Sequence, residues 1–77
     1  MEKIEYARTL GLAGKDYFIK LNPDEIEKIE MRKKEDGHRI TFYLKIGFFI
    51  LEIKDYELAP ALETISGLGL TITEFKK

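Results

Sequence analysis

The stretch that decides the fold is His38-Arg39-Ile40-Thr41-Phe42-Tyr43-Leu44-Lys45-Ile46. Ile40, Phe42, Leu44 and Ile46 alternate with Arg39, Thr41, Tyr43 and Lys45. Side chains of a strand point to opposite faces in turn, so this is a strand with one core face and one polar face. Just before it stands Asp36-Gly37, a favoured dipeptide for a two-residue hairpin turn with positive φ at both central positions. Such a loop pairs Glu35 with His38, Met31 with Phe42 and Ile29 with Leu44. A slip by one residue would instead set Glu30 or Arg32 against the core face, so patterning selects the hairpin's faces.

Upstream, Asn22-Pro23-Asp24-Glu25 is a helix start, with Asn as N-cap, Pro at the first helical position and Glu at the third. A helix from Pro23 to about Glu35 would show only Ile26, Ile29 and Met31 as an apolar stripe, which is narrow for a packed helix. One helical turn over Pro23 to Glu27 followed by a strand is the preferred reading, and the longer helix is the alternative. Downstream, Phe48 to Ile53 reads as a further strand. A loop at Ile46-Gly47 opposes Leu44 with Phe49, Phe42 with Leu51 and Ile40 with Ile53. A three-residue loop with left-handed Gly47 is the alternative, because β-branched Ile46 resists positive φ.

Asp55 to Ser66 predicts a short helix. Leu58, Leu62 and Ile65 share a face, Pro60 falls in the first turn and Gly67 sits where helices end. Leu70 to Thr73 alternates as a closing strand. The N-terminal region reads as a hairpin, with Ile4, Tyr6, Leu10 and Leu12 on one strand, Tyr17, Ile19 and Leu21 on the other, and a turn at Ala13-Gly14. The expected fold is α+β: one domain over 1–77, a bent antiparallel sheet of about five or six strands and one short C-terminal helix. The expected core is Ile29, Met31, Ile40, Phe42, Leu44, Phe49, Leu51, Ile53, Leu58, Leu62 and Ile65, extended by Tyr6, Leu10, Ile19 and Leu21.

Composition narrows the function. The chain has 77 residues, with 44% hydrophobic and 35% charged, and its 13 basic and 14 acidic side chains nearly cancel. It has no Cys or Gln, and one each of His, Ser and Asn. No disulfide framework or thiolate ligand can form, and little material remains for a hydrolytic triad. No apolar run approaches the roughly 18 residues of a membrane span. Met1-Glu2-Lys3 opens no apolar leader, so the expected location is cytoplasmic. Gly67-Leu68-Gly69 follows a helix and lacks the phosphate-loop frame. Helix-end electrostatics accounts for Asp24-Glu25 and for Asp55 with Glu57, and a surface salt bridge to Glu35 accounts for His38. No catalytic, metal or cofactor-binding residue is nominated, and the chain is not expected to be an enzyme.

The face opposite the core carries Lys28, Glu30, Arg32, Lys34, Arg39, Thr41, Tyr43 and Lys45: five bases and one acid. In the expected register Lys28 opposes Lys45, and Lys34 opposes Arg39. Tyr43, Phe48 and Ile50 continue that face as an apolar and aromatic patch. The expected function is a non-catalytic protein-interaction module that self-associates through a sheet face or edge, with Tyr43, Phe48 and Ile50 as candidate contacts. The alternative is a small nucleic-acid-binding regulator in which Lys28, Arg32, Lys34, Arg39 and Lys45 meet phosphates and a ring stacks on bases. Coverage of Phe48 and Ile50 by the N-terminal hairpin would remove the first reading's basis.

Residues 22–65 share a pattern with known regulators: Leu21-Asn22-Pro23-Asp24-x-Ile26-x-x-Ile29, an alternating hairpin over Ile40 to Ile53, and a short amphipathic helix over Leu58 to Ile65. In this the chain resembles the small flagellar-operon FlbD-like proteins and the β-rich half of LytTR DNA-binding domains. The resemblance implies a regulatory or DNA-associated role and transfers no site residue. The N-terminal strands and the closing Leu70 to Phe75 strand depart from it.

Overall fold

The computed structural model describes residues 9–15 and 17–75. Over these residues the fold is α+β, with six strands in two sheets and one α-helix. Strands β1 (Leu10–Ala13) and β2 (Phe18–Leu21) form an antiparallel pair. Strands β3 (Ile26–Lys34), β4 (Gly37–Leu44) and β5 (Gly47–Lys54) form a meander, and helix α1 (Asp55–Gly67) follows without a gap. Strand β6 (Thr73–Phe75) pairs parallel to β3, giving the order β5-β4-β3-β6. The β5-α1-β6 segment is therefore a crossover that spans two strands of the sheet.

Asn22 caps one 3-10 turn, Pro23–Glu25, by accepting from the Asp24 amide at 2.9 Å on its side-chain oxygen. The chain is extended again from Ile26, so the short turn holds and the longer helix does not form. A bulge between Ile26 and Lys28 shifts the β3–β4 ladder by one residue. Beyond it, Ile29 and Met31 of β3 face the same way as Ile40 and Phe42 of β4. Along α1, Glu57 accepts from the Lys54 amide at 3.2 Å and from the Lys15 amide at 3.1 Å. One carboxylate thus caps the helix and ties the β1–β2 turn to it.

Both hairpins of the meander are two residues away from their expected registers. The first loop is Glu35-Asp36, with Ile29 opposite Phe42 and Met31 opposite Ile40. The second is Lys45-Ile46, with Phe42 opposite Phe49 and Ile40 opposite Leu51. A shift of two preserves parity, so every side chain keeps its face. Neither loop contains a non-glycine residue at positive φ. Gly37 is the physical reason for the first shift. It is a buried strand residue, and a Cβ there would collide with the Ile53 carbonyl oxygen of β5. Its role is close approach, not turn conformation.

The core lies between the four-stranded sheet on one side and α1 with the β1–β2 pair on the other. Leu10, Leu12, Ile29, Met31, Ile40, Phe42, Leu51, Ile53, Ala61 and Ile65 are buried. Leu44, Phe49, Leu58, Leu62, Ile19 and Leu21 pack around them half-buried. Leu12 and Ala61 join the expected set, while Ile4 and Tyr6 lie outside the described residues. No described helix is long and apolar enough to cross a membrane.

Candidate functional site

The hairpin parity puts the even-numbered residues of β3 and β5 and the odd-numbered residues of β4 on the face away from the core. On this outer face Lys28 stands opposite Tyr43, Glu30 opposite Thr41 and Arg32 opposite Arg39. Across the next ladder, Tyr43 opposes Phe48, Thr41 opposes Ile50 and Arg39 opposes Glu52. Among the described residues nothing covers this face, because β1 contributes Leu10 and Leu12 to the core on the other side. Phe48 keeps 64% of its surface exposed and Ile50 45%. The described part of the N-terminal hairpin, Leu10–Ala13 and Phe18–Leu21, thus does not cover Phe48 and Ile50.

Tyr43, Phe48 and Ile50 form one patch. The Tyr43 and Phe48 rings lie 6.4 Å apart at 50°, a tilted contact of the kind aromatic pairs prefer. The Tyr43 hydroxyl donates to Glu30 Oε1 at 3.2 Å. Lys28 Nζ sits 2.9 Å from Glu30 Oε2 and 5.6 Å from the centre of the Tyr43 ring. Tyr43 is therefore held from its polar end and along its face. A shallow concavity of about 240 Å³ runs between this patch, Arg32, Arg39 and Thr41.

The charges are arranged differently from the sequence expectation. Lys45 is in the β4–β5 turn, with its amide donating to the Glu25 carbonyl at 3.1 Å, and leaves the sheet face. Lys28 opposes Tyr43 and not Lys45, and Lys34 opposes Gly37 and not Arg39. The like-charge pair that does form is Arg32 with Arg39. Arg39 is drawn to Glu52, with Nε and Nη2 at 2.8 and 2.7 Å from the same carboxylate oxygen. Glu52 and Lys54, not nominated from sequence, share the face; parity along β5 carried that signal. The outer face thus holds Lys28, Arg32, Lys34, Arg39 and Lys54 against Glu30 and Glu52.

The hydrogen bond from Lys28 holds the Glu30 carboxyl below the ordinary glutamate value and raises the Lys28 ammonium above the ordinary lysine value. The Glu30 contribution to stability is then fully present above pH 4.5 and is lost as pH falls through its lowered folded-state pKa. A carbon-detected NMR titration should place the Glu30 midpoint below 4.5. A midpoint at or above that value would show that the Lys28–Glu30–Tyr43 arrangement does not persist in solution.

His38 does not pair with Glu35. It opposes Lys33 on the core side, where its Nδ1 lies 3.2 Å from Asp55 Oδ1 at the start of α1, without hydrogen-bond alignment. Lys33 Nζ is 3.6 Å from the same carboxylate. The shifted register accounts for this placement. Ser66 is exposed near the end of α1, away from His38 in the sequence and at the other end of the helix. Among the described residues no group of three His, Asp or Glu is placed to hold a metal ion.

A second concavity, of about 290 Å³, lies between α1 and the β1–β2 pair and is lined by Leu12, Tyr17, Tyr56, Glu57, Pro60 and Ala61, among others. Burial pushes the Tyr17 hydroxyl up, and the Glu57 carboxylate adds to the rise. No family model matches the chain, and neither a curated protein nor a solved structure matches it. The FlbD-like and LytTR resemblance accordingly assigns no role to any residue of this site.

Proposed function

We propose that this chain is a non-catalytic protein-interaction module that self-associates through the outer face of its four-stranded sheet. One observation carries the reading: Tyr43, Phe48 and Ile50 are contiguous on a face that no described residue covers. Large contiguous apolar patches are uncommon on monomeric proteins and mark contact surfaces. Aromatic anchors that are fixed in advance lose little freedom on binding, and the Glu30 contact fixes Tyr43.

Sedimentation equilibrium should therefore show a concentration-dependent mass for the wild type. Phe48→Glu should lower the affinity at least about tenfold, because full burial of such a ring is worth about 1.5–3 kcal/mol. Its thermal midpoint should hardly move, since exposed substitutions usually stay within about 0.5 kcal/mol. A wild type that remains monomeric at about 1 mM, a concentration that detects even millimolar dissociation constants, would overturn the reading. So would undiminished association of Phe48→Glu.

The surplus of bases beside two rings supports a second reading, a small nucleic-acid-binding regulator. Counting against it, Lys28 and Arg39 each have a carboxylate within 3 Å, and Lys45 is off the face. The first reading expects no retention on a polyanion resin at low salt. Retention that weakens steeply with salt would favour the second.

A further inference from the structure

The outer face is a poor match for itself. Two copies laid face to face would bring together two faces that each carry Lys28, Arg32, Lys34, Arg39 and Lys54, offset by Glu30, Glu52 and, from the β3–β4 turn, Asp36 beside Lys54. Like charges juxtaposed across an interface disfavour it. The complementary surface is on the opposite side of the same molecule. Helix α1 carries Asp55, Glu57 and Glu63 and no base. Tyr56, Ala59, Pro60 and Glu63 fall at helical spacing on its solvent side and are all exposed. Tyr56 has 70% of its surface exposed. Between this helix and the β1–β2 pair lies the 290 Å³ groove, with apolar walls and Glu57 at its rim.

The sheet supplies a matching projection. Ile46, in the β4–β5 turn, is 90% exposed, and Phe48 stands beside it at the start of β5. Lys45 of the same turn is a cation next to these two apolar side chains, while Lys28, at the far end of the Phe48 row beyond Tyr43, is already paired with Glu30. An apolar tip beside Lys45 and an apolar groove on a helix whose charged side chains are all acidic, with Glu57 in its lining and Glu63 on the exposed side, are complementary in polarity and in charge.

We propose that copies of this chain associate head to tail, the Ile46–Phe48 end of one sheet seated in the groove between α1 and the β1–β2 pair of the next. This rests on self-association as proposed above and adds the identity of the opposing surface. Such a contact is heterologous: each copy uses two different patches, and the chain of contacts ends only if a ring closes. The charge pairing also makes the association weaken as salt is added.

Two half-blocked variants test it. Phe48→Glu disables the projection and leaves the groove. The double variant Tyr56→Lys with Glu63→Lys disables the groove side and leaves the projection. All three positions are exposed, and matching thermal midpoints would verify folding. Each variant alone should be monomeric by sedimentation. Mixed in equal amounts they should form a complex of twice the monomer mass and nothing larger, because one intact patch remains on each. If the Tyr56/Glu63 variant still associates as wild type does, the opposing surface is wrong while self-association stands. If both variants are monomeric and the mixture is too, the head-to-tail contact is overturned. A monomeric wild type overturns both proposals together.

Discussion

Replacing Phe42 by Ala is expected to remove most of the stability of this domain. The ring is fully buried on β4, which has strand neighbours on both sides. Its ring centre lies 6.4 Å from that of Phe49, and Ile29 opposes it from β3. Truncating a buried Phe typically costs about 3–5 kcal/mol, the loss of transfer energy plus the cavity left behind. A central strand hydrogen-bonded on both edges cannot collapse into that cavity. A chain of this length has roughly 4–12 kcal/mol of stability in total, at about 0.05–0.15 kcal/mol per residue. Urea denaturation should therefore find the variant unfolding at far lower urea, or unfolded in buffer. Phe48→Ala, on the opposite face, should lose less than about 1 kcal/mol, as exposed positions usually do. If the two variants were equally destabilised, the assignment of core and outer faces would be wrong.

Gly37→Ala is expected to be almost as damaging, for the opposite reason. Here an atom is added where none fits. The new Cβ would run into the Ile53 carbonyl oxygen, with the Ile53 carbonyl carbon and Lys54 Cα close behind. These are backbone atoms of a paired strand, so they cannot swing aside as a flexible side chain could. Relieving the clash means parting β4 from β5 where α1 begins. Overpacking of this kind costs about 1–3 kcal/mol and sometimes more. At about 4–8 °C per kcal/mol for a domain of this size, the thermal midpoint should fall by about 4–24 °C. Gly37→Asn separates this cause from turn geometry. Asn tolerates positive φ better than other residues, so a turn glycine would accept it with little loss. A strand glycine under a neighbouring carbonyl would not, and Asn should be at least as harmful as Ala.

Gly37 also shows how far the sequence could be read. Beside Asp36 it looks like a turn residue, since the glycine of such a pair is indistinguishable on paper from one needed for close packing. Parity was legible, because Ile40, Phe42, Leu51 and Ile53 can share a face in only one phase. Register was not, because a slip of two keeps all of these inside and changes only which residues face one another. That slip is why Glu52 emerged as the partner of Arg39, and why His38 meets Asp55 instead of Glu35. The grouping of Tyr43, Phe48 and Ile50 needed parity alone and was visible. The acceptor for the Tyr43 hydroxyl, Glu30, needed the rotamers. Ala61 escaped because a small residue adds little to an apolar stripe; the closing strand, expected over Leu70 to Thr73, forms instead over Thr73–Phe75 and runs parallel to β3, since three residues show too little pattern to fix bounds or direction.

The crossover that brings β6 beside β3 sets an order on assembly. The two loops of the meander close over two residues each, so β3, β4 and β5 can pair through contacts that are near in sequence. Glu30 and Thr73, paired at the far edge, are separated by roughly forty residues, and their contact must wait until α1 has docked across the sheet. Until then β3 keeps an unpaired edge next to the meander's open core, the state in which a small sheet protein is most exposed to mispairing with a neighbour. The last three-residue strand, by covering Glu30 to Arg32 at the middle of β3, shortens the stretch of edge on which such mispairing can start.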